Sequence, residues 1–142
     1  MRSLLDVNVL LALTTESHAL HVLAMAWSRS HGEKGWASCP LTQNGFVRIA
    51  CQLPLPAKRT MAEAVRQLQL QLAAPGHEFW PDGIMFPDDL IFDHSQLTGH
   101  KQIADVYLLA LAVRHSGRLV TFDRGIPLKA VRGATAANLV VI

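Results

Sequence analysis

Three aspartates occupy positions where the surrounding residues favour a hydrophobic side chain or the end of a strand. Asp6 follows the apolar run 3–5, Asp105 lies inside a long apolar segment, and Asp123 closes a short apolar run. An ionised carboxylate in an apolar setting is costly unless positive charge compensates it. Three such acids therefore indicate a divalent-metal site, and a site of that kind indicates phosphate chemistry.

The type of ligand limits which metals could bind at such a site. Carboxylate oxygens are hard ligands, which favour Mg²⁺ or Mn²⁺ over zinc. One such metal can activate a water while a second stabilises the leaving oxygen of a phosphodiester. A simpler interpretation stays open at this point, because an aspartate at a strand end is usually a helix cap or a turn residue. Asp105, inside an apolar helix, is harder to explain in that way.

The composition is that of a folded domain. The chain has 142 residues, of which 50% are hydrophobic and 17% are charged, and we expect one domain over residues 1–142. The net charge of +2 is too small to indicate nucleic-acid binding by itself. No apolar run approaches the ~20 residues that span a membrane. We therefore expect a cytoplasmic protein, with Cys39 and Cys51 as thiols that pack like small hydrophobic residues.

Short apolar runs alternate with helical stretches along the chain, which predicts a layered α/β fold with parallel strands. The predicted strands cover residues 2–5, 36–39, 77–80, 119–122 and 138–142, and the predicted helices cover 8–14, 19–29, 40–50, 57–73 and 99–115. Gly117 is predicted to cap the last helix. Segment 81–98 has no usable periodicity. Ligands of such folds bind beyond the carboxyl ends of the strands, which is where Asp6 and Asp123 are predicted to lie.

Four segments resemble the PIN-domain ribonucleases, and most closely the VapC toxins of bacterial toxin–antitoxin pairs. They are Leu4-Leu5-Asp6-Val7-Asn8-Val9-Leu10, 38–48 (SCPLTQNGFVR), 103–110 (IADVYLLA) and 119–125 (LVTFDRG), in the order of that family. The resemblance covers essentially the whole chain. It implies a three-layer α/β sandwich whose central five-stranded parallel sheet has the order 3-2-1-4-5. It also implies RNA cleavage that depends on Mg²⁺ or Mn²⁺, a homodimer, and a small antitoxin as partner.

The resemblance also implies roles for particular residues. Asp6, Asp105 and Asp123 match the first, third and fourth acidic positions, and Asn8 matches a polar residue that commonly supports the first acid. Most members have glutamate at the second acidic position, where this chain has Gln43. An amide oxygen can bind a metal or its water but carries no charge. Similar toxins with Thr-Gln here form a subgroup, so we interpret Gln43 as part of a variant catalytic site.

Several other residues are candidates for contacts. Lys101 and Arg124 stand near proposed catalytic acids and could contact RNA phosphates, although a solvated surface charge is the common role. His18 and His21 could face one metal from a helix, but packing or surface roles are more frequent for such pairs. Contact with phosphate or RNA is also open for three further histidines, namely His77, His94 and His100.

Three functions are therefore weighed. The first is a metal-dependent endoribonuclease toxin that a cognate antitoxin neutralises. The second is a PIN scaffold that binds RNA or protein without cleavage, and Gln43 is the residue that keeps it open. The third, a phosphatase that forms a phosphoaspartate at Asp6, is disfavoured because Asn8 stands where that chemistry needs a second acid.

Overall fold

A five-stranded parallel sheet with helices on both faces forms the centre of the computed structural model, which describes residues 1–142. The strands are β1 (Ser3–Leu5), β2 (Trp36–Ser38), β3 (His77–Phe79), β4 (Arg118–Thr121) and β5 (Leu139–Val141). Their order is β3-β2-β1-β4-β5, and every neighbouring pair is parallel. The predicted fold class and strand order are confirmed.

Five α-helices connect and cover the strands. They are α1 (Val7–Thr14), α2 (His21–His31), α3 (Pro40–Ala50), α4 (Met61–Leu72) and α5 (Ile103–Arg114). The predicted helix at 57–73 begins later than expected because Thr60 caps it: its hydroxyl accepts from the Glu63 N–H, and the Glu63 carboxylate accepts from the Thr60 N–H. The predicted helix at 99–115 begins as a short 3₁₀ turn before α5. None of these helices has the length and apolar character needed to cross a membrane.

The core has two apolar layers, one on each face of the sheet. Leu4 and Leu5, which are adjacent in β1, belong to different layers because successive strand side chains point to opposite faces. The layer around Leu4 contains α5 and Trp80, and the layer around Leu5 contains α1, α3 and α4. Helix α5 is buried along most of its length, as its apolar sequence predicted. This packing holds the start of α5 beside the carboxyl ends of β1 and β4.

The end of α5 is capped differently from the prediction. Ser116, with a φ of 52°, takes the left-handed conformation, so the predicted capping role of Gly117 is wrong. The Gly117 N–H donates to the Ala112 carbonyl at 2.8 Å. This bond, together with one that the Ser116 N–H donates, ends the helix. A glycine is required at 117 for packing, since a Cβ there would lie 2.6 Å from the Trp80 ring.

Gly45 allows α3 to approach α1 closely, and we expect Gly45→Ala to destabilise the protein. A Cβ at this position would lie 2.7 Å from Cγ2 of Val7, a stiff side chain directly after Asp6. Alanine gains at most about 1 kcal/mol of helix propensity, whereas overpacking costs about 1–3 kcal/mol. Urea denaturation should therefore show a lower free energy of unfolding.

Gly32→Ala is the matched control for this change. Gly32 has a helical φ of −61°, and no atom lies within 4 Å of the position that a Cβ would take, so alanine there should be neutral or slightly stabilising. Equal stability of Gly45→Ala and Gly32→Ala would contradict the close-packing argument.

Candidate active site

Asp6 ends β1 and caps α1. Its Oδ1 accepts from the Val7 N–H at 2.6 Å, and its Oδ2 accepts from the Thr121 hydroxyl at 2.8 Å. The residue is only 7% exposed, and burial raises the pKa of its carboxyl above the ordinary value. The two hydrogen bonds lower that pKa, whereas the negative charge of Asp123 raises it further. Asp6 is therefore a helix cap, as the simpler interpretation expected. Its carboxyl also interacts electrostatically with Asp123, which a cap alone does not require.

Asp123 lies just beyond β4, on an exposed turn. Its Oδ1 accepts from the Gly125 N–H at 2.6 Å, and its own N–H donates to the Thr121 hydroxyl oxygen at 3.1 Å. Thr121, fully buried, thus contacts both Asp6 and Asp123 through one oxygen. The signal for this residue was a single polar side chain inside the apolar run 119–122.

Asp105 occupies the first turn of α5 and is half-buried. Its pKa is raised from 3.8 to about 6, mainly by burial and then by the charges of Asp6 and Asp123. A hydrogen bond with Asp123 also favours the protonated form of Asp105. The fold thus places the carboxyls of Asp6, Asp105 and Asp123, which we call the acid site, near one another.

No cation of the chain compensates the acid site. The two salt bridges of the structure join Arg2 to Glu78 and His94 to Asp89, so neither includes a site acid. No group of three or more His, Cys, Asp or Glu side chains is arranged to hold a metal ion directly. Mg²⁺ keeps several waters and is often held by only one or two carboxylates together with substrate phosphates. The oxygen donors and the uncompensated negative charge therefore fit a hydrated divalent cation.

Gln43 belongs to α3 and takes part in a hydrogen-bond chain that includes none of the three acids. Its Nε2 donates to the Ser38 hydroxyl at 2.9 Å, and that hydroxyl lies 2.8 Å from Nε2 of His77. A hydroxyl can donate one hydrogen bond and accept two, so the direction of the Ser38–His77 bond depends on which ring nitrogen of His77 carries the proton. When that nitrogen is Nδ1, Ser38 donates to Nε2. Burial lowers the pKa of His77, and the charge of Arg2 lowers it further, which agrees with a neutral ring. The amide oxygen of Gln43 is left free.

The predicted support of Asp6 by one polar residue is not seen, and the phosphate contacts of two basic residues stay predictions. Asn8 is exposed, and its side chain forms no hydrogen bond with Asp6; Thr121 supports Asp6 instead. Lys101 and Arg124 are both exposed and lie on neighbouring turns, which are joined where Gln102 Nε2 donates to the Gly125 carbonyl at 3.4 Å. Positive charge thus borders the acids, and the phosphate contact of both residues stays a prediction.

The histidines do not assemble a metal site. Nδ1 of His18 accepts from a backbone N–H at 3.1 Å, and Nδ1 of His21 lies 2.7 Å from a backbone carbonyl, so both serve the local fold. His94 bonds to the Phe86 carbonyl and to Asp89. His100 is exposed, and its side chain forms no hydrogen bond within the chain.

Comparison with known proteins agrees with this architecture. Residues 3–132 match the PIN domain family. The chain is 48% identical to Ribonuclease VapC44 of Mycobacterium tuberculosis, over the full length of both proteins. It is 40% identical to Ribonuclease VapC38 of the same organism, over 99% of each chain. The chain therefore belongs to the PIN-domain family and, within it, to the VapC group.

Solved structures show the same fold. VapBC2 from Rickettsia felis, crystallised with a DNA fragment from its promoter, aligns with a TM-score of 0.62 at 12% identity, over 100% of this chain and 98% of that one. VapC20 of Mycobacterium tuberculosis, a toxin that cleaves the sarcin–ricin loop, aligns with a TM-score of 0.57 at 9% identity, over 82% and 85%. At such low identity these two likenesses concern the fold alone.

Proposed function

We propose that the protein is an endoribonuclease toxin that hydrolyses RNA phosphodiester bonds with Mg²⁺ or Mn²⁺ at the acid site. The observation that supports this most is the pKa of Asp105, which burial and two neighbouring carboxylates raise to about 6, while neither salt bridge of the structure includes a site acid. Perturbed carboxyl groups of this kind are typical of functional sites. The VapC44 and VapC38 relatives are named ribonucleases, and this supports the same activity here.

Each residue of the site would have its own role in the reaction. When bound, the metal would supply an activated water and offset the charge that develops on the phosphate. Thr121 and the Val7 N–H hold the Asp6 carboxylate in one orientation, in which it would be ready to hold a metal. Above pH ~6, Asp105 is ionised, so its carboxylate is available to the cation. Lys101 and Arg124 would contact the RNA backbone.

The partners belong to the same proposal. VapBC2 of Rickettsia felis is a toxin–antitoxin complex, and we propose that a small antitoxin likewise binds and neutralises this chain. Helix α4 exposes Met61 and Val65, apolar side chains of the kind that protein partners cover. A homodimer and a cytoplasmic location, where the RNA substrate would be met, complete the proposal.

A second candidate is a PIN scaffold that binds RNA or protein without cutting it. The observation that favours it is the amide at position 43, which adds no negative charge and donates to Ser38. The retained acids Asp6, Asp105 and Asp123 favour the enzyme, because a scaffold has no need of clustered carboxylates that repel one another.

Growth and RNA cleavage test the two candidates. Expression of the protein without an antitoxin should arrest growth, and the purified protein should cleave structured RNA in Mg²⁺. Asp105→Asn should relieve the arrest and lower the cleavage rate by roughly 100-fold or more, because it removes an anionic metal ligand. Glu33→Gln, which removes an exposed acid without a hydrogen-bonded partner, should leave both unchanged. Equal arrest by wild type and Asp105→Asn would point to binding instead of cleavage.

A further inference from the structure

A cavity of about 410 Å³ opens beside the acid site. It lies between the start of α3, the segment after β3 and the start of α5, and its lining residues are Leu41, Asp82, Phe86, His100, Ile103, Ala104 and Tyr107. Ala104 directly precedes Asp105 in the chain, although Asp105 does not line the cavity. A nucleic-acid strand with a phosphate at the acid site would therefore bring a neighbouring base to this opening.

The walls of the cavity are apolar and held in place. Tyr107 donates its hydroxyl to the Ile84 carbonyl at 3.1 Å, so its ring faces the cavity without an unsatisfied polar group. Phe86 packs against Phe92, with ring centroids 5.1 Å apart. Leu41 and Ile103 are large apolar side chains that remain 38% and 43% exposed at the opening. These surfaces suit the flat, apolar face of a ligand ring.

Asp82 is the one carboxylate in this lining. It is exposed and belongs to neither salt bridge. Partial burial raises the pKa of its carboxyl, and the Cys39 thiol lowers it. A carboxylate has about four acceptor positions, which here are open to the donors of a ligand. The cavity thus combines apolar walls with a hydrogen-bond acceptor at its opening.

We propose that this cavity binds a guanine base of the RNA substrate, with Asp82 accepting hydrogen bonds from the N1–H and the exocyclic amine. Guanine presents two adjacent N–H donors on one edge, and these match the two oxygens of a carboxylate. Adenine, cytosine and uracil present no such pair of adjacent donors on their pairing edges, so they match a carboxylate less well. The inference rests on the proposed function, because it assumes that RNA reaches the acid site.

The cavity favours a nucleotide over a protein side chain. An arginine from a protein partner would also satisfy Asp82, but a guanidinium would fill only a small part of a volume of about 410 Å³. His100 is exposed at the rim and can donate to a phosphate attached to the bound nucleoside. A base, its sugar and the next phosphate therefore match the acceptor, the walls and the rim together.

Nucleoside titration tests the inference without any need for cleavage. Guanosine, adenosine, cytidine and uridine are added separately to the metal-free protein, and the backbone amide signals of Ala104 and Tyr107 are followed by NMR. Uncharged nucleosides are chosen because the acid site would repel a phosphate. We expect guanosine to bind roughly tenfold more tightly than the other three, as for one good bidentate contact. Asp82→Asn should abolish this preference, and Glu33→Gln should keep it.

The outcomes separate this inference from the proposed function. Asp82 is exposed, so the Asp82→Asn variant should fold, which an unchanged amide spectrum elsewhere would verify. Equal binding of all four nucleosides, or an unchanged preference in Asp82→Asn, would overturn the inference even if the protein cleaves RNA. A guanosine preference in a protein that cleaves no RNA would support the pocket and leave only the enzyme proposal refuted. Signal changes with N-acetyl-arginine amide alone would overturn it in favour of a protein partner.

Discussion

Millimolar Mn²⁺ or Mg²⁺ should raise the melting temperature of the protein, and Asp6→Asn should abolish the increase. A metal that binds only the folded state at about ten times its Kd stabilises by about 1.4 kcal/mol, which corresponds to roughly 4–6 °C for a chain of this size. The asparagine of this variant can still cap α1 through its amide oxygen, and its amide nitrogen can donate to the Thr121 hydroxyl oxygen, so the variant should remain folded. Without metal it should melt at or above the wild-type temperature, because a buried charge beside Asp123 is removed.

The same measurement has a defined pH dependence. The pKa of Asp105 is about 6 in the folded protein and near 3.8 for an ordinary aspartate. The folded state therefore binds a proton more tightly than the unfolded chain, so the stability of the metal-free protein should fall as pH rises from about 4 to 6. Metal competes with that proton, and the metal-induced shift should be small at about pH 5 and full at about pH 7.5.

Glu33→Gln is the control for a general effect of lost negative charge, since Glu33 is exposed and outside the acid site. It should retain the full metal-induced shift. A metal response that is the same in wild type, Asp6→Asn and Glu33→Gln would mean that the metal binds elsewhere on the surface.

Gln43→Glu should lower the Mg²⁺ concentration needed for half-maximal RNA cleavage, and Gln43→Ala should raise it. An added carboxylate deepens the negative potential that holds the cation, whereas loss of the amide oxygen removes a group that can hold a metal or its water. Loss of such a supporting group typically costs about 10–100-fold in metal affinity or activity. The measurement is the cleavage rate as a function of Mg²⁺ concentration for all three proteins.

The hydrogen-bond chain from Gln43 adds a spectroscopic consequence. Glutamate cannot donate to Ser38, so in Gln43→Glu the Ser38 hydroxyl would turn to donate to the new carboxylate. Nε2 of His77 would then lack a donor unless it gains a proton of its own, which it could give to Ser38. The pKa of His77, lowered in the wild type by burial and by Arg2, should therefore rise in this variant, as NMR titration of the imidazole can show.

Gln69→Glu adds the same charge on the exposed face of α4 and should change neither the Mg²⁺ requirement nor the pKa of His77. Identical cleavage by wild type and Gln43→Ala would make residue 43 a bystander. An inactive wild type together with an active Gln43→Glu would mean that the natural protein is a degenerate nuclease and would favour the scaffold.

Local patterns in the sequence were sufficient to predict the helices and strands and their order along the chain. Apolar runs of strand length and apolar residues at helical spacing are imposed by burial, so the five strands and five helices could be predicted, with errors mainly at their ends. The residue that caps α5 could not be predicted from such local patterns. Gly117 resembles a cap in the sequence, but the Trp80 ring, which lies far away in the chain, is what excludes a side chain there.

For the acid site, too, the sequence predicted one part and the tertiary structure decided another. Asp6, Asp105 and Asp123 were candidates from the sequence because each carries charge in an apolar setting. Their effect on one another depends on distances across the sheet, which only the packing of α5 against β1 and β4 decides. The same packing gave Thr121, and not Asn8, the contact with Asp6, and it turned the amide of Gln43 towards Ser38. Burial and periodicity are local properties, so the sequence pattern is enough to predict them. Charge coupling and hydrogen-bond partners depend on which distant residues the fold brings together.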